Sequence, residues 1–447
     1  MRPKMRAASL AAGALCIALS ASACAGAGGS GTGDPNSISV LMVNNPQMGD
    51  LQKLTADNFT RETGIKVNYT VLPENDVRAK ISQEFSSQAG QYDVASLSNY
   101  EIPFFAANKW LAPLDSVAKD PEFNQADILP AYTASLTGTD GKLYGEPFYG
   151  ESSFLMYRKD ILEAKGLAMP EKPTWDQVAD IAAKADGAAP GMKGICLRGQ
   201  PGWGQVFAPL TTVVNTFGGT WYDKNWNAKV NAPEFTEAAE FYTKLVREHG
   251  EAGAAQAGFT ECLNYMSQGK VAMWYDATSA AGALEADASP VKGKIGYAQA
   301  PVKKTASSGW LWTWSWAMQA ASKKQDAAGK FIAWASSKEY EELVADKLGW
   351  AKVPSGKRIS TYENAEFQKA APFFKAERFA IENADPKNPG AQPRPAVGIQ
   401  FVGIPEFAAL GTSVSQGISS AIAGQGTVAD ALAKGQQAAE KVGNKYK

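Results

Sequence analysis

Ile38-Ser39-Val40-Leu41-Met42-Val43-Asn44-Asn45-Pro46 is an uncharged apolar run that stops at a turn signal. A run of this length and composition suits a strand covered on both faces, and Asn-Asn-Pro ends it. Outward from it, residues 50–63 carry Leu51, Leu54 and Phe59 at helical spacing with charges between, and Gly64 supplies a helix stop. Ile65-Lys66-Val67-Asn68-Tyr69-Thr70-Val71 alternates and is β-rich, so it reads as a strand. Residues 75–89 are again helical, and Asp93-Val94-Ala95-Ser96-Leu97 is a further short strand ending at Ser98-Asn99-Tyr100. Strand, helix, strand, helix, strand predicts a parallel sheet in an α/β fold. Such sheets bind ligands beyond the carboxyl ends of their strands. Those ends hold Asn44, Asn45, Asn99 and Tyr100, polar and aromatic groups suited to an uncharged polar ligand. Each is also a candidate helix cap.

Further along, Tyr144 to Tyr157 is extended and apolar, interrupted at Gly150-Glu151-Ser152. Helices are expected over 159–165, from Trp175 after Pro173-Thr174, over 205–217 with Gly218-Gly219 as the stop, and over 234–249, 259–267 and 324–336. Strands are expected at 193–197, 271–275 and 310–318, and two helices within 406–442. The pattern is α/β with more helix than strand.

A chain of 447 residues is long enough for two or three domains. With 44 Lys+Arg against 45 Asp+Glu there is no cationic excess to neutralise phosphates, which argues against a nucleic-acid partner. The single histidine, His249, excludes zinc sites needing several imidazoles, and a Ser-His-Asp triad unless His249 is its base. Its place before Gly250 suits a helix cap. No CxxC and no GxxxxGK[ST] is present, and no metal or cofactor is expected. Gly26-Ala27-Gly28-Gly29-Ser30-Gly31 matches GxGxxG but follows no strand. Ser267-Gln268-Gly269-Lys270 matches SxxK without the companion β-lactamase motifs.

Residues 1–6 carry three positive charges and residues 7–23 none, a basic n-region before a short apolar h-region. This run is too short and alanine-rich for a good membrane span. It ends at Ala21-Ser22-Ala23-Cys24, which resembles a bacterial lipoprotein signal with lipidation at Cys24; the plainer reading is an A-x-A cleavage site. Residues 24–35 form a Gly/Ser-rich tether, as a surface-anchored domain needs. Loss of residues 1–23 removes Arg2, Lys4 and Arg6 and no acid, so the charge moves from −1 to −4. Cys196 and Cys262 remain, and in an oxidising exterior they either form a disulfide or stay as small buried thiols.

Four ordered segments carry a family likeness. They are Gly141-Lys142-Leu143-Tyr144-Gly145-Glu146-Pro147 with Glu151 and Met156-Tyr157-Arg158-Lys159-Asp160; Pro173-Thr174-Trp175-Asp176; Met266 to Asp276; and the helix Ala327 to Trp334 after a strand. Together they make the chain resemble an extracellular solute-binding protein of an ABC importer, in the carbohydrate-binding group that includes the maltose-binding protein. Arg198-Gly199-Gln200-Pro201-Gly202-Trp203-Gly204, Ala272 to Thr278, Gly309-Trp310-Leu311-Trp312, Pro393-Arg394-Pro395 and Ile399 to Phe407 look closer to the subgroup that binds sugar alcohols such as sorbitol and mannitol. The resemblance implies a two-lobed periplasmic-binding fold, with ligand in the cleft and a hinge that closes on it. Lobe 1 would be 36–149 and 277–350, and lobe 2 would be 150–276 and 351–447. It implies a monomeric, extracytoplasmic, non-enzymatic partner of a membrane permease, held to the membrane by its lipid anchor.

A sugar or polyol offers C–H faces to aromatic rings and hydroxyls to carboxylates, amides and guanidinium groups. A buried hydroxyl without a partner costs about 1–3 kcal/mol, so polar groups must converge on it. Trp310, Trp312, Trp314 and Trp316 alternate along one strand face. Trp310 and Trp312 are the candidates to line the cleft, with Trp314 and Trp316 expected in the core. Trp203 lies between glycines on a loop, and Trp274 and Asp276 end an apolar strand at an expected crossing. Arg394 sits between prolines, where its fork suits vicinal hydroxyls or a salt bridge. The resemblance places Glu151 where the maltose-binding protein motif has a ligand-contacting glutamate. Two alternatives follow from the same residues: a binder of di- or oligosaccharides, and a secreted glycoside hydrolase using Glu151 and Asp276.

Overall fold

The computed structural model describes Asp34 and residues 36–447; the leader, Cys24 and most of the tether lie outside the described residues. In chain order the strands among the described residues are β1 (Ser37–Val43), β2 (Lys66–Leu72), β3 (Val94–Ser98), β4 (Leu111–Ala112), β5 (Glu146–Glu151), β6 (Ser153–Arg158), β7 (Lys193–Cys196), β8 (Val271–Ala277), β9 (Ile295–Gln299) and β10 (Trp312–Gln319). They form two sheets. The first has order β2-β1-β3-β10-β4, with β5 also on β10; the second has order β7-β8-β6-β9.

The opening unit is the expected one. β1 pairs in parallel with β2 and β3, and Ile38, Val40, Leu41 and Met42 are fully buried. β10 then adds antiparallel to β3, and β4 and β5 pair antiparallel along β10. In the second sheet β7 runs parallel to β8, while β6 is antiparallel to both β8 and β9.

Local chemistry sets the helices. Helix Trp175–Ala185 opens on a capping box in which Thr174 Oγ1 accepts from Gln177 N and Gln177 Oε1 accepts from Thr174 N. Helix Phe207–Phe217 ends at Gly218, whose φ of 95° admits the left-handed cap. The expected helix over 50–63 forms with a π-helical turn at Ala56–Thr60 and stops at Gly64. The two C-terminal helices are Phe407–Ile422 and Val428–Gly443. His249 ends helix Pro233–His249, with Nδ1 3.2 Å from Asp186 Oδ2.

Two elements differ from expectation. Ile295–Gln299 carries a glycine and an unremarkable pattern, so it went unread; it is β9, and although it falls in the stretch assigned to lobe 1, it pairs with β6 in the second sheet. The strand expected from Trp310 starts only at Trp312, because Trp310 N donates to Ser153 Oγ at 3.3 Å instead of entering the ladder.

The chain passes from the first sheet to the second at one residue, Ser152, between β5 and β6. Ser152 N donates to Thr278 Oγ1 at 3.2 Å, and Thr278 N donates to Ser152 O at 2.9 Å. Behind this point Gly356 lies against Gly150. A Cβ at Gly356 would fall 1.9 Å from Gly150 O, and its φ is +87°, so only glycine fits.

Cys196, at the end of β7, and Cys262, on helix Phe259–Ser267, are joined with Cα atoms 5.7 Å apart. The link closes a loop spanning 66 residues, which the chain-entropy account values at about 4 kcal/mol. Replacing both cysteines by alanine is therefore expected to lower unfolding free energy by about 2–4 kcal/mol in urea titrations, with added reductant acting on the native chain in the same direction. Equal stability of native and variant chains under oxidising conditions would contradict this.

Candidate functional site

Register brings the site together at the crossing. Glu151 lies opposite Trp312 in the β5–β10 pair, and Ala277 lies opposite Ser153 in the β6–β8 pair. The end of each sheet therefore faces the same space. It holds a small, tightly packed cavity of about 20 Å³. Trp310, Trp312 and Trp314 form its aromatic wall, with Phe259 and Phe401; Asn45, Glu74, Arg78, Glu151, Arg198, Ser279 and Gln400 supply its polar groups.

Both arginines are held by carboxylates. Arg198 forms a fork on Asp276, Nε to Oδ2 at 2.8 Å and the terminal nitrogen to Oδ1 at 2.6 Å, and also donates to Gly204 O at 3.0 Å. Arg78 donates to Glu74 at 2.9 Å and to Glu101 at 3.2 Å. Its guanidinium stands 4.3 Å from the Trp203 ring centre, 5.0 Å from Trp312 and 4.7 Å from Trp314, positions at which a cation is attracted to ring faces. Each cation is thus matched, and no unpaired positive charge faces the cavity from these two residues.

Glu151 is 6% exposed and accepts a short hydrogen bond from Ser279 Oγ. Burial pushes its carboxyl up to about 8, against the opposing pull of Ser279 and Arg198. At neutral pH it is a protonated acid, able to donate as well as accept. Polar capacity not used within the protein also faces the cavity: Gln400 is 4% exposed and its amide has no protein partner, and Trp310 Nε1 is buried without an acceptor.

Asn45, Glu151, Trp310 and Trp312, among the candidates read from the sequence, line the cavity. Trp314 lines it too, while lying in the buried core as expected; Trp316 is core, packed on Phe148 and Phe331. Alternation puts these tryptophans on one face, which borders the cavity near the crossing and packs on Phe331 of helix Gln325–Ser336 at Trp316. Asp276 does not line the cavity. Its two oxygens accept from Arg198, Trp274 Nε1 and Ala277 N, so it acts by holding Arg198. Trp274 is fully buried against Phe259.

The remaining candidates lie off the cavity. Asn44 is exposed, and Asn99 Oδ1 accepts from Thr313 N. Tyr100 donates to Ile404 O at 2.8 Å and packs with Trp203 and Phe401 behind the wall. Arg394 donates to Asn215 and Gly398 O, and burial lowers its pKa to about 10.

Glu74, Arg78, Arg198, Ser279, Gln400 and Phe401 were not singled out. Glu74 and Arg78 are spaced i, i+4 on helix Glu74–Ser87, a pattern that reads as a surface ion pair. Only burial distinguishes it, since Arg78 is 5% exposed. Arg198, Gln400 and Phe401 stand inside quoted motifs, so the signal was present without a role attached. Among the described residues there is no group of His, Cys, Asp and Glu able to hold a metal, and no helix long and apolar enough to cross a membrane.

Comparison with known proteins agrees with this architecture. A mannitol-binding protein of Pseudomonas aeruginosa is 38% identical over 404 residues, covering 90% of this chain and 92% of the relative. The crystal structure of an ABC transporter solute-binding protein from Agrobacterium vitis S4 with bound D-mannitol superposes with a TM-score of 0.89 at 44% identity, covering 92% and 99% of the two chains. A ribitol complex of a solute-binding protein from Agrobacterium radiobacter K84 shares the fold, with a TM-score of 0.80 at 24% identity over 91% and 98% of the chains. The fold is accordingly the two-lobed α/β fold of ABC-transporter binding proteins. The profile of the family described as bacterial extracellular solute-binding protein matches residues 45–342, and the chain belongs to that family.

Proposed function

We propose that this protein binds a sugar alcohol in the cavity at the crossing and delivers it to a membrane permease of an ABC importer. The observation that carries the reading is the small cavity walled by Trp310, Trp312 and Trp314, with Arg78 and Arg198 already paired to carboxylates. Rings cover the C–H faces of a polyol. Gln400, Trp310 Nε1 and the protonated Glu151 supply donors and acceptors for its hydroxyls. A phosphate or carboxylate ligand would need positive charge that the paired arginines do not offer. The mannitol complexes and names of the relatives support the same ligand class.

The lobes follow the sheets in this reading, one carrying β1–β5 and β10, the other β6–β9. Closure brings them together through Asn75 Nδ2 to Pro201 O at 3.0 Å, Gln47 Nε2 to Ser279 O at 2.9 Å and Arg78 over Trp203. Cys24 carries the lipid anchor, and the protein works as a monomer outside the cell membrane. It is not an enzyme: hydrolysis would need a second free carboxylate beside Glu151, whereas Glu74 is bonded to Arg78 and both oxygens of Asp276 are engaged.

A thermal-shift screen of residues 36–447 tests the reading, since a ligand that binds only the folded state raises Tm. A selective upshift with mannitol, sorbitol, arabitol or xylitol, without turnover, is expected. An upshift with disaccharides alone would move the ligand class to the oligosaccharide alternative. Turnover of a glycoside that is lost in Glu151→Gln would replace binding by hydrolysis.

Glu151 also gives a pH signature. Its folded pKa lies above its ordinary value, so the unfolded chain releases its proton first and the domain loses stability as pH rises from about 4.5 towards 8. Glu151→Gln removes this cost. In ligand-free urea titrations the variant should gain on the native protein by up to about 3 kcal/mol between pH 5 and pH 7.5. Glu146 and Glu377, raised by burial to about 8 and about 7, are present in both chains and cancel in the comparison. A pH-independent difference would show that Glu151 is ionised in the folded protein.

A further inference from the structure

The cavity at the crossing has an outer neighbour. A second, more apolar pocket of about 430 Å³ opens to solvent between helices Ile102–Ala107 and Pro130–Ser135 on one side and the loop 384–403 on the other. The two spaces have three residues in common, Trp312, Gln400 and Phe401. Phe401 is 5% exposed. Its ring is held edge-on by Trp203 at 4.8 Å, Trp312 at 5.4 Å and Tyr100 at 5.8 Å between centroids. It comes from a loop rather than from either sheet, and the backbone beside it is confined: a Cβ on Gly398, at φ +127°, would meet Phe401 O at 2.1 Å. An aromatic ring fixed on a wall common to a small inner cavity and a larger outer pocket stands between them as a partition.

We propose that Phe401, with Gln400 beside it, sets ligand length: it bounds the inner cavity on the side of the outer pocket, so that a single open-chain polyol is held and a second sugar unit is kept out of the outer pocket. The inference rests on the polyol reading above and deepens it. The outer pocket is suited to a second unit once connected. Tyr100 and Phe104 offer apolar surface, and Asn99, Ser135, Thr137 and Lys387 offer hydrogen-bonding groups. Phe401→Ala joins the two spaces; Phe401→Leu joins them less and keeps an apolar side chain in the cluster. Gln400 remains in both variants to hold the first unit.

The experiment is calorimetric titration of the native protein and both variants with D-mannitol, D-sorbitol and maltitol, a hexitol bearing one glucosyl unit, with melting curves confirming that each variant is folded. Native protein is expected to prefer a hexitol to maltitol by at least 100-fold. Phe401→Ala should narrow that ratio at least tenfold, chiefly by gaining maltitol, with Phe401→Leu between. If native protein prefers a hexitol and the ratio stays unchanged in whichever variants fold, the partition is overturned and the polyol reading stands. If neither variant folds, Phe401 is a packing residue and the partition is likewise overturned. Native protein that binds maltitol as tightly as a hexitol also overturns the partition alone. Native protein that binds none of the three overturns the polyol reading and the partition with it.

Discussion

The site depends on three chain segments meeting where the two sheets exchange strands. Glu151 to Ser153, Ala277 to Ser279 and Gly309 to Trp312 all pass through one small region, tied by the Ser152–Thr278 pair of hydrogen bonds and by Trp310 N on Ser153 Oγ. Backbone groups buried away from water require partners, and here each segment supplies them to another. This is why side chains from positions as far apart as Glu151, Ser279 and Trp312 converge. A Cβ on Gly309 would come 2.9 Å from Ser152 Oγ, so the meeting is close as well as bonded. The segments that carry the cavity wall are the same ones that connect the two sheets.

Electrostatics then decides what kind of molecule this meeting place can hold. Burying an unpaired charge is costly, and the cavity contains none that the structure leaves unmatched among its arginines. Asp276 takes four hydrogen bonds, three of them from Arg198 and Trp274, and so spends its charge on fixing the guanidinium. Arg78 is clamped by Glu74 and Glu101 and covered by three indole rings. The result is a rigid, nearly neutral, hydrogen-bonding surface. Polyols are matched by such a surface because they carry many hydroxyls and no charge, and a misplaced hydroxyl costs more than a correctly placed one gains.

Much of the fold was legible because it is written in periodicity. The uncharged run at 38–43, the alternation at 65–71 and the capping signal at Pro173-Thr174 each correspond to a local preference that the tertiary structure keeps. The failures share a different cause. Trp314 was read as core alone, and it is both buried in the core and part of the cavity lining, a double role that alternation does not separate. Asp276 was read as a ligand contact because its position suited one; that it serves Arg198, 78 residues away, is a pairing no local pattern encodes. Arg78 looked like half of a surface ion pair. Strand β9 carries too short and glycine-broken a pattern to register. Local rules therefore recovered most strands and four residues of the cavity wall, Asn45, Glu151, Trp310 and Trp312, while the identity of each charge's partner required the folded chain.

The aromatic cluster behind the wall joins recognition to closure. Tyr100 follows the first sheet's β3, Trp203 comes from a loop beyond β7 of the second, and Phe401 from the late loop, yet their rings lie within 6 Å of one another. Such contacts form only when the sheets are brought together, and each ring pair adds roughly 0.5–1.5 kcal/mol beyond its buried area. They stabilise the closed arrangement whether or not ligand is bound, which reduces what the ligand itself must supply. A ligand shifts such an equilibrium only by its differential affinity for the closed form. The groups that can provide that difference are those that gain a partner on closure around a polyol: Gln400, Trp310 Nε1 and the protonated Glu151. The apolar cluster thus sets how readily the protein closes, and the few polar groups lining the cavity set what it closes on.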